Sequence, residues 1–277
     1  MHRLLMACSA LALGAGAAHA EMNFNRISAF STVENMAADE DRARESSAEI
    51  IDVTADGMML VYTDSPLEVL GRIDITDPHA PKPAGNIALP GEPTSVAVLG
   101  DIAFVGVNTS PDFVSPSGML KAIHVKSGEE LASCATSGQP DSIALSKDGS
   151  FVVVAIENER DEDLNDGIIP QAPAGTLDMF RITDGTLTCE GHIAADMTGL
   201  AEIAPTDPEP EFVDVNGLGE TVVTMQENNH LAVVDAQGHV INQFSAGAVD
   251  LTGIDATDER GALRFTETQV GRKREPD

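Results

Sequence analysis

Short apolar runs rich in Val and Ile recur from Ser47 onward, each bounded by Gly, Asp, Asn or Pro. They fall into groups of four. An alternating run, as in SVAVLG (Ser95–Gly100), SIALS (Ser142–Ser146) and EFVDV (Glu211–Val215), leads into a tight turn such as KDGS (Lys147–Ser150). A more continuous apolar run follows: MMLVYT from Met58, IAFVGV from Ile102, FVVVAI from Phe151, TVVTM from Thr221. After a polar loop comes a third run, as in LKAIHV from Leu120 or TLDMFRI from Thr176, and after a second tight turn a fourth, ELASCAT from Glu130 or HVINQFS from His239. Period-two alternation with β-branched residues and Gly/Asp turns predicts antiparallel strands. No long helical period appears beyond the first twenty residues, and NMAADEDRARESS (Asn35–Ser47) has too little apolar face for a packed helix.

The groups share a step. GEPTSVAV from Gly91, GQPDSIAL from Gly138 and PEPEFVDV from Pro208 each set Glu or Gln before a proline and a strand, and REPD from Arg274 repeats the step at the end. SAEIIDV from Ser47 is a first copy without the proline. A unit of about 40–50 residues with insertions suits the blades of a propeller; a sandwich or a solenoid leaves the recurring Glu/Gln-Pro step unexplained. The expected fold is therefore an all-β propeller of four-stranded antiparallel blades, four of them present, with residues 48–277 as the propeller part. Blades start near 48, 93, 140 and 210, and a fifth begins at 274.

What precedes the propeller reads differently. Arg3, the apolar LLMACSALALGAGAA and the small–x–small AHA (Ala18–Ala20) predict a Sec-type signal peptide over 1–20. Residues 21–47 then form an N-terminal arm, and the protein is expected to be periplasmic or secreted, with no membrane span. The net charge of −29 excludes the basic patches that nucleic acid and anionic membranes require. Cys134 and Cys189 remain after cleavage; both fall in outermost strands of neighbouring blades, where strands splay apart, so they are expected to stay unpaired.

Strand order brings distant residues together. In a four-stranded blade, the loop entering the first strand and the loop joining the second to the third emerge on one face. The first kind carries Glu92, Gln139, Asp141, Glu209 and Glu211; the second carries Glu157, Asn158, Glu159, Arg160, Gln226, Asn228 and Asn229. All are candidates for binding a small molecule or surface partner in an acidic funnel. In ENERDEDLNDG (Glu157–Gly167) six of eleven residues are acids, and Asp161, Asp163, Asn165 and Asp166 present alternating hard oxygens that suggest Ca²⁺. The loop is not an EF-hand: Ala172 stands where a bidentate Glu would be needed. Glu227 and His230 are the candidates for a general base, and no nucleophile elbow or P-loop is present. Two functions remain: a binding or surface-interaction propeller, or a metal-dependent phosphoester or ester hydrolase.

Taken together, GEPTSVAV, GQPDSIALS, ENERDEDLNDG, PQAPAG, DPEPEFVDV, QENNH, FSAGAVDL and REPD resemble the choice-of-anchor I family over about Ala48 to Asp277. The resemblance implies an exported bacterial seven-bladed propeller of which this is the front part, since REPD normally leads into further blades. It also implies the label alkaline phosphatase-like, or "esterase-like activity of phytase", without a catalytic residue set to carry over.

Overall fold

The computed structural model describes residues 25–161, 163–257, 261 and 263–276; the expected signal peptide lies outside them. Four four-stranded antiparallel sheets follow one another among the described residues, each built from four consecutive strands. Blade 1 holds β1 (Ala48–Val53), β2 (Met59–Asp64), β3 (Val69–Asp74) and β4 (Lys82–Ala88). Blade 2 holds β5 (Glu92–Leu99), β6 (Ile102–Asn108), β7 (Gly118–His124) and β8 (Glu130–Ala135). Blade 3 holds β9 (Pro140–Leu145), β10 (Phe151–Ile156), β11 (Thr176–Thr183) and the long β12 (Thr186–Asp196). Blade 4 holds β13 (Pro210–Val215), β14 (Thr221–Met225), β15 (His230–Val234) and β16 (Val240–Ser245). This is the propeller arrangement expected from the pattern of runs. Before Arg274 the structure inserts a hairpin that the sequence pattern did not predict: β17 (Ala248–Ile254) and β18 (Glu267–Lys273) pair with each other.

The prolines occupy equivalent places. Pro93 pairs with Val107, Pro140 with Ile156 and Pro210 with Met225, each at or one residue from the end of its blade's second strand, and a register shift follows each proline. Ala48, paired with Asp64 and followed by the same shift, fills that place in blade 1. A residue without an N–H suits the start of an innermost strand, where no partner accepts from it. Gly138 sits where a Cβ would collide with the side-chain amide of Asn158, so the loop entering β9 and the loop leaving β10 touch.

The blades stack through apolar faces. Val61 and Leu70 of blade 1 meet Val96, Val105 and Ile123 of blade 2; Phe104 and Leu120 meet Val152, Val154 and Phe180; Val153 and Leu177 meet Val213 and Val223. Arg72 reaches from β3 to the carbonyls of Val125 (3.0 Å) and Lys126 (3.2 Å), tying blade 1 to blade 2. The arm covers the other face of blade 1. Val33 and Met36 pack on Leu67 and Val69, and the buried Asn35 donates to Tyr62 Oη and the Arg72 carbonyl while accepting from the amides of Ala84 and Gly85.

Cys134 and Cys189 are joined, with Cα atoms 5.2 Å apart, contrary to the expectation that they stay unpaired. The reason is a bulge. Met179 pairs with Ile193 and Arg181 with Thr188, so Cys189–His192 stand opposite Phe180 alone. Gly191, at φ +74°, turns this excess of chain outward and carries Cys189 across to β8, closing the gap that regular outer strands would leave.

Candidate functional site

The loops that enter the inner strands and those that leave the second strands share one rim, as the strand order requires. Two asparagines hold them together. Asn158 Oδ1 accepts from the Gln139 amide (2.9 Å), and in the next blade Asn228 Oδ1 accepts from the Glu209 amide (2.9 Å). Asn158 donates onward to the Ala174 carbonyl, and Asn228 to those of Ile203, Ala204 and Asp207. Asn229 accepts from the Arg274 amide (3.1 Å) and donates to Ser245 Oγ. These three residues, expected to bind a ligand, spend their side chains as scaffolding. Gln226 lies beside them, its carbonyl accepting from the Asn229 amide.

On this scaffold the seam between blades 3 and 4 gathers carboxylates. Asp141 on β9 and Glu211 on β13 lie on neighbouring inner strands, with Glu157 and Glu159 just beyond β10 and Glu209 just before β13. Burial, reinforced by the charges of Glu211 and Glu159, pushes the Asp141 carboxyl up to about 7. Glu157 is pushed up to about 8, first by burial and then by Asp141, Glu159, Glu209 and Glu211. Two causes of the same sign act on each: loss of water around the charge, and like charges close by. Glu92 also rises, from burial and from Glu49, Glu159 and Glu68, so the acidic rim extends toward blade 1. Gln139 Nε2 donates to Glu159 (3.4 Å).

One guanidinium enters this rim. Arg160 Nε donates to Asp207 Oδ2 (2.9 Å), Nη2 donates to the Asp207 carbonyl (2.8 Å), and Nη1 lies 3.8 Å from Glu227. Glu209 Oε1 is 3.0 Å from the same Nε, yet no N–H points at it, because that hydrogen is directed at Asp207. Burial prevails over both the Arg160 charge and a hydrogen bond from the Arg160 backbone: Glu209 rises to about 7. Lys273 supplies a further cation, reaching Glu227 (3.1 Å) and Glu275 (3.3 Å). Arg160, Glu159, Gln171, Ile169, Glu209 and Glu227 line a cleft of about 410 Å³.

Asp207, Gln171 and Lys273 were not legible as site residues. Asp207 is 2% exposed and orients both Arg160 and the Gln171 amide (3.0 Å), and Gln171 closes the acidic loop through the amide and carbonyl of Asp161. The signal was present in DPEP, where Asp207 stands two residues before Glu209.

The calcium donors fit less well. Asp161 Oδ1 accepts from the Asp163 amide (2.9 Å), and the Asn165 side chain lies outside what is described. Among the described residues no three Asp, Glu, His or Cys side chains gather as a metal shell would require, so Ca²⁺ at Asp161, Asp163, Asn165 and Asp166 rests on spacing alone. Of the two general-base candidates, Glu227 is engaged by Lys273 and Arg160, and His230 is buried with Nε2 on Gln243 Oε1 (2.7 Å).

Fold and rim together define a β-propeller with an acidic, partly buried face. The choice-of-anchor I domain model matches residues 49–202, over half the chain, and the protein belongs to that family. No curated protein matches it. Among solved structures, a chain of a nidogen/laminin complex is similar, with a TM-score of 0.47 at 13% identity, over 72% of this chain. The match spans 64% of that chain's length. No helix among the described residues is long and apolar enough to cross a membrane.

Proposed function

We propose that this protein is an exported surface-interaction propeller whose acidic rim takes the cationic groups of a partner. The observation that carries the reading is the convergence of Asp141, Glu157, Glu209 and Glu211 at one seam, where Arg160 offsets the charge of Glu209. Carboxyl groups whose ionisation is opposed by mutual repulsion and burial ionise more fully once an ammonium or guanidinium group is brought to them. Export is supported by the leader-like Met1–Ala20 and by the Cys134–Cys189 bond, which needs an oxidising compartment. A metal-dependent hydrolase has less support, since Glu227 and His230 are both held by other side chains.

The test is fluorescence anisotropy with a labelled oligo-arginine peptide at pH 7.5. Asp141→Asn combined with Glu157→Gln should weaken binding tenfold or more. Asp184→Asn combined with Glu129→Gln changes the net charge equally in turns on the opposite face and should leave binding within twofold. Equal weakening by both pairs would show that bulk charge, not the rim, attracts the peptide.

A further inference from the structure

The bulge in β12 is fastened at both ends. Cys189 is bonded to Cys134 on β8, and His192 stacks on Phe180 with ring centroids 5.0 Å apart and planes 9° apart. The two sulfurs have unlike surroundings. Cys134 is 2% exposed and belongs to the apolar contact between blades 2 and 3, with Leu187, Phe180 and Leu120. Cys189 is exposed, standing on the solvent side of the bulge. Of the two ends of the bond, Cys189 is therefore the one that faces a thiolate arriving from solvent. Exposed disulfides are the ones most open to exchange, whereas those buried on both sides resist it.

We propose that the Cys134–Cys189 bond is a redox-sensitive clasp on the blade 2–blade 3 seam, opened by an external dithiol while the propeller stays folded. The dithiol's thiolate attacks Cys189 Sγ, the S–S bond breaks, and Cys134 leaves as a thiolate that takes up a proton. The reductant's second thiol then attacks the mixed disulfide, freeing Cys189 as a thiol and leaving the reductant as its own disulfide. Two electrons and two protons pass to the protein. Opening the clasp frees the four-residue bulge and brings Leu187, at the outer edge of the seam, to water. It also frees the end of β8, which runs through Thr136 and Ser137 to Gln139 on the rim. The inference stands on the bulge and the unequal burial of the sulfurs, whatever the rim binds.

The experiment uses the wild-type chain. It is incubated with dithiothreitol across urea concentrations below the unfolding transition and quenched with iodoacetamide, and Cys134 and Cys189 are scored by peptide mapping. The expected result is a reduction rate proportional to dithiothreitol and flat with urea. A rate that climbs with urea as steeply as global unfolding does would overturn the clasp, because attack would then require the unfolded chain. Hydrogen exchange on the alkylated protein supplies the second readout. Amides of β8 and β12 should be accelerated at least tenfold more than those of β14 and β15. No change in β8 and β12, or equal acceleration in every blade, would equally overturn it.

Discussion

Asp141 offers a direct measure of what the rim costs. Its carboxyl is raised from 3.8 to about 7, so the folded state holds its proton more tightly than the unfolded chain does. The stability tied to that proton is fully present below the unfolded value. It is lost as pH rises through the folded value. At 1.36 kcal/mol per unit, the full loss is on the order of 4 kcal/mol, and the part between pH 5 and pH 8.5 is about 3 kcal/mol. Asp141→Asn replaces the protonated acid with a neutral side chain of the same shape. The variant's lead in melting temperature over wild type should widen by about 5 °C between pH 5 and pH 8.5, given the unfolding entropy of a domain of this size. The assay is a set of thermal melts at constant ionic strength across that range. Glu157 and Glu211 share the field, so removing Asp141 also eases the ionisation of Glu157 and adds to the difference. Wild-type and variant melting curves that run parallel from pH 5 to pH 8.5 would refute the account, because the carboxyl would then titrate alike folded and unfolded.

Replacing both Cys134 and Cys189 by Ala should cost about 4 kcal/mol, the loop entropy of a crosslink spanning 55 residues, read by urea unfolding under oxidising conditions. Asn228→Ala should cost about 2–3 kcal/mol, since the Glu209 amide and the carbonyls of Ile203, Ala204 and Asp207 lose a shared buried partner; the same unfolding assay reads it. The Asx-turn geometry of the acidic loop predicts that CaCl₂ raises the melting temperature no more than NaCl of matched ionic strength. A calcium-specific rise that disappears in Asp161→Asn with Asp163→Asn would reverse that expectation and restore the metal site.

The blades were legible because their signals are local. A proline two residues after Gly91 and Gly138, a Gly-containing turn and a Val-rich run are each decided within a few residues, and the strands fell where those signals put them. The disulfide was not legible, because it depends on how much of β12 bulges opposite Phe180, a matter of register between strands. The docking of the arm was hidden for a related reason. One polar side chain, Asn35, makes four of the ties, and nothing in its neighbours' hydropathy marks it. At the rim, topology placed the acids on one face, yet whether an Asn binds a ligand or caps a loop depends on hydrogen-bond partners that spacing does not reveal. Asn158 and Asn228 turned out to be caps, and Asp207 to orient Arg160.

The arm has a consequence for how the chain comes together in time. Asn35 finds its partners 27 to 50 residues downstream, Arg72 reaches 53 residues ahead, and the disulfide closes across 55. Each tie spans roughly the length of one blade, and each sheet is made of consecutive strands. A blade therefore needs only itself and its successor before it is secured, so assembly can proceed vectorially from the N-terminus, with the arm capping blade 1 as soon as β4 is made. A chain built this way exposes one unfinished apolar face at a time, and that face always belongs to the newest blade.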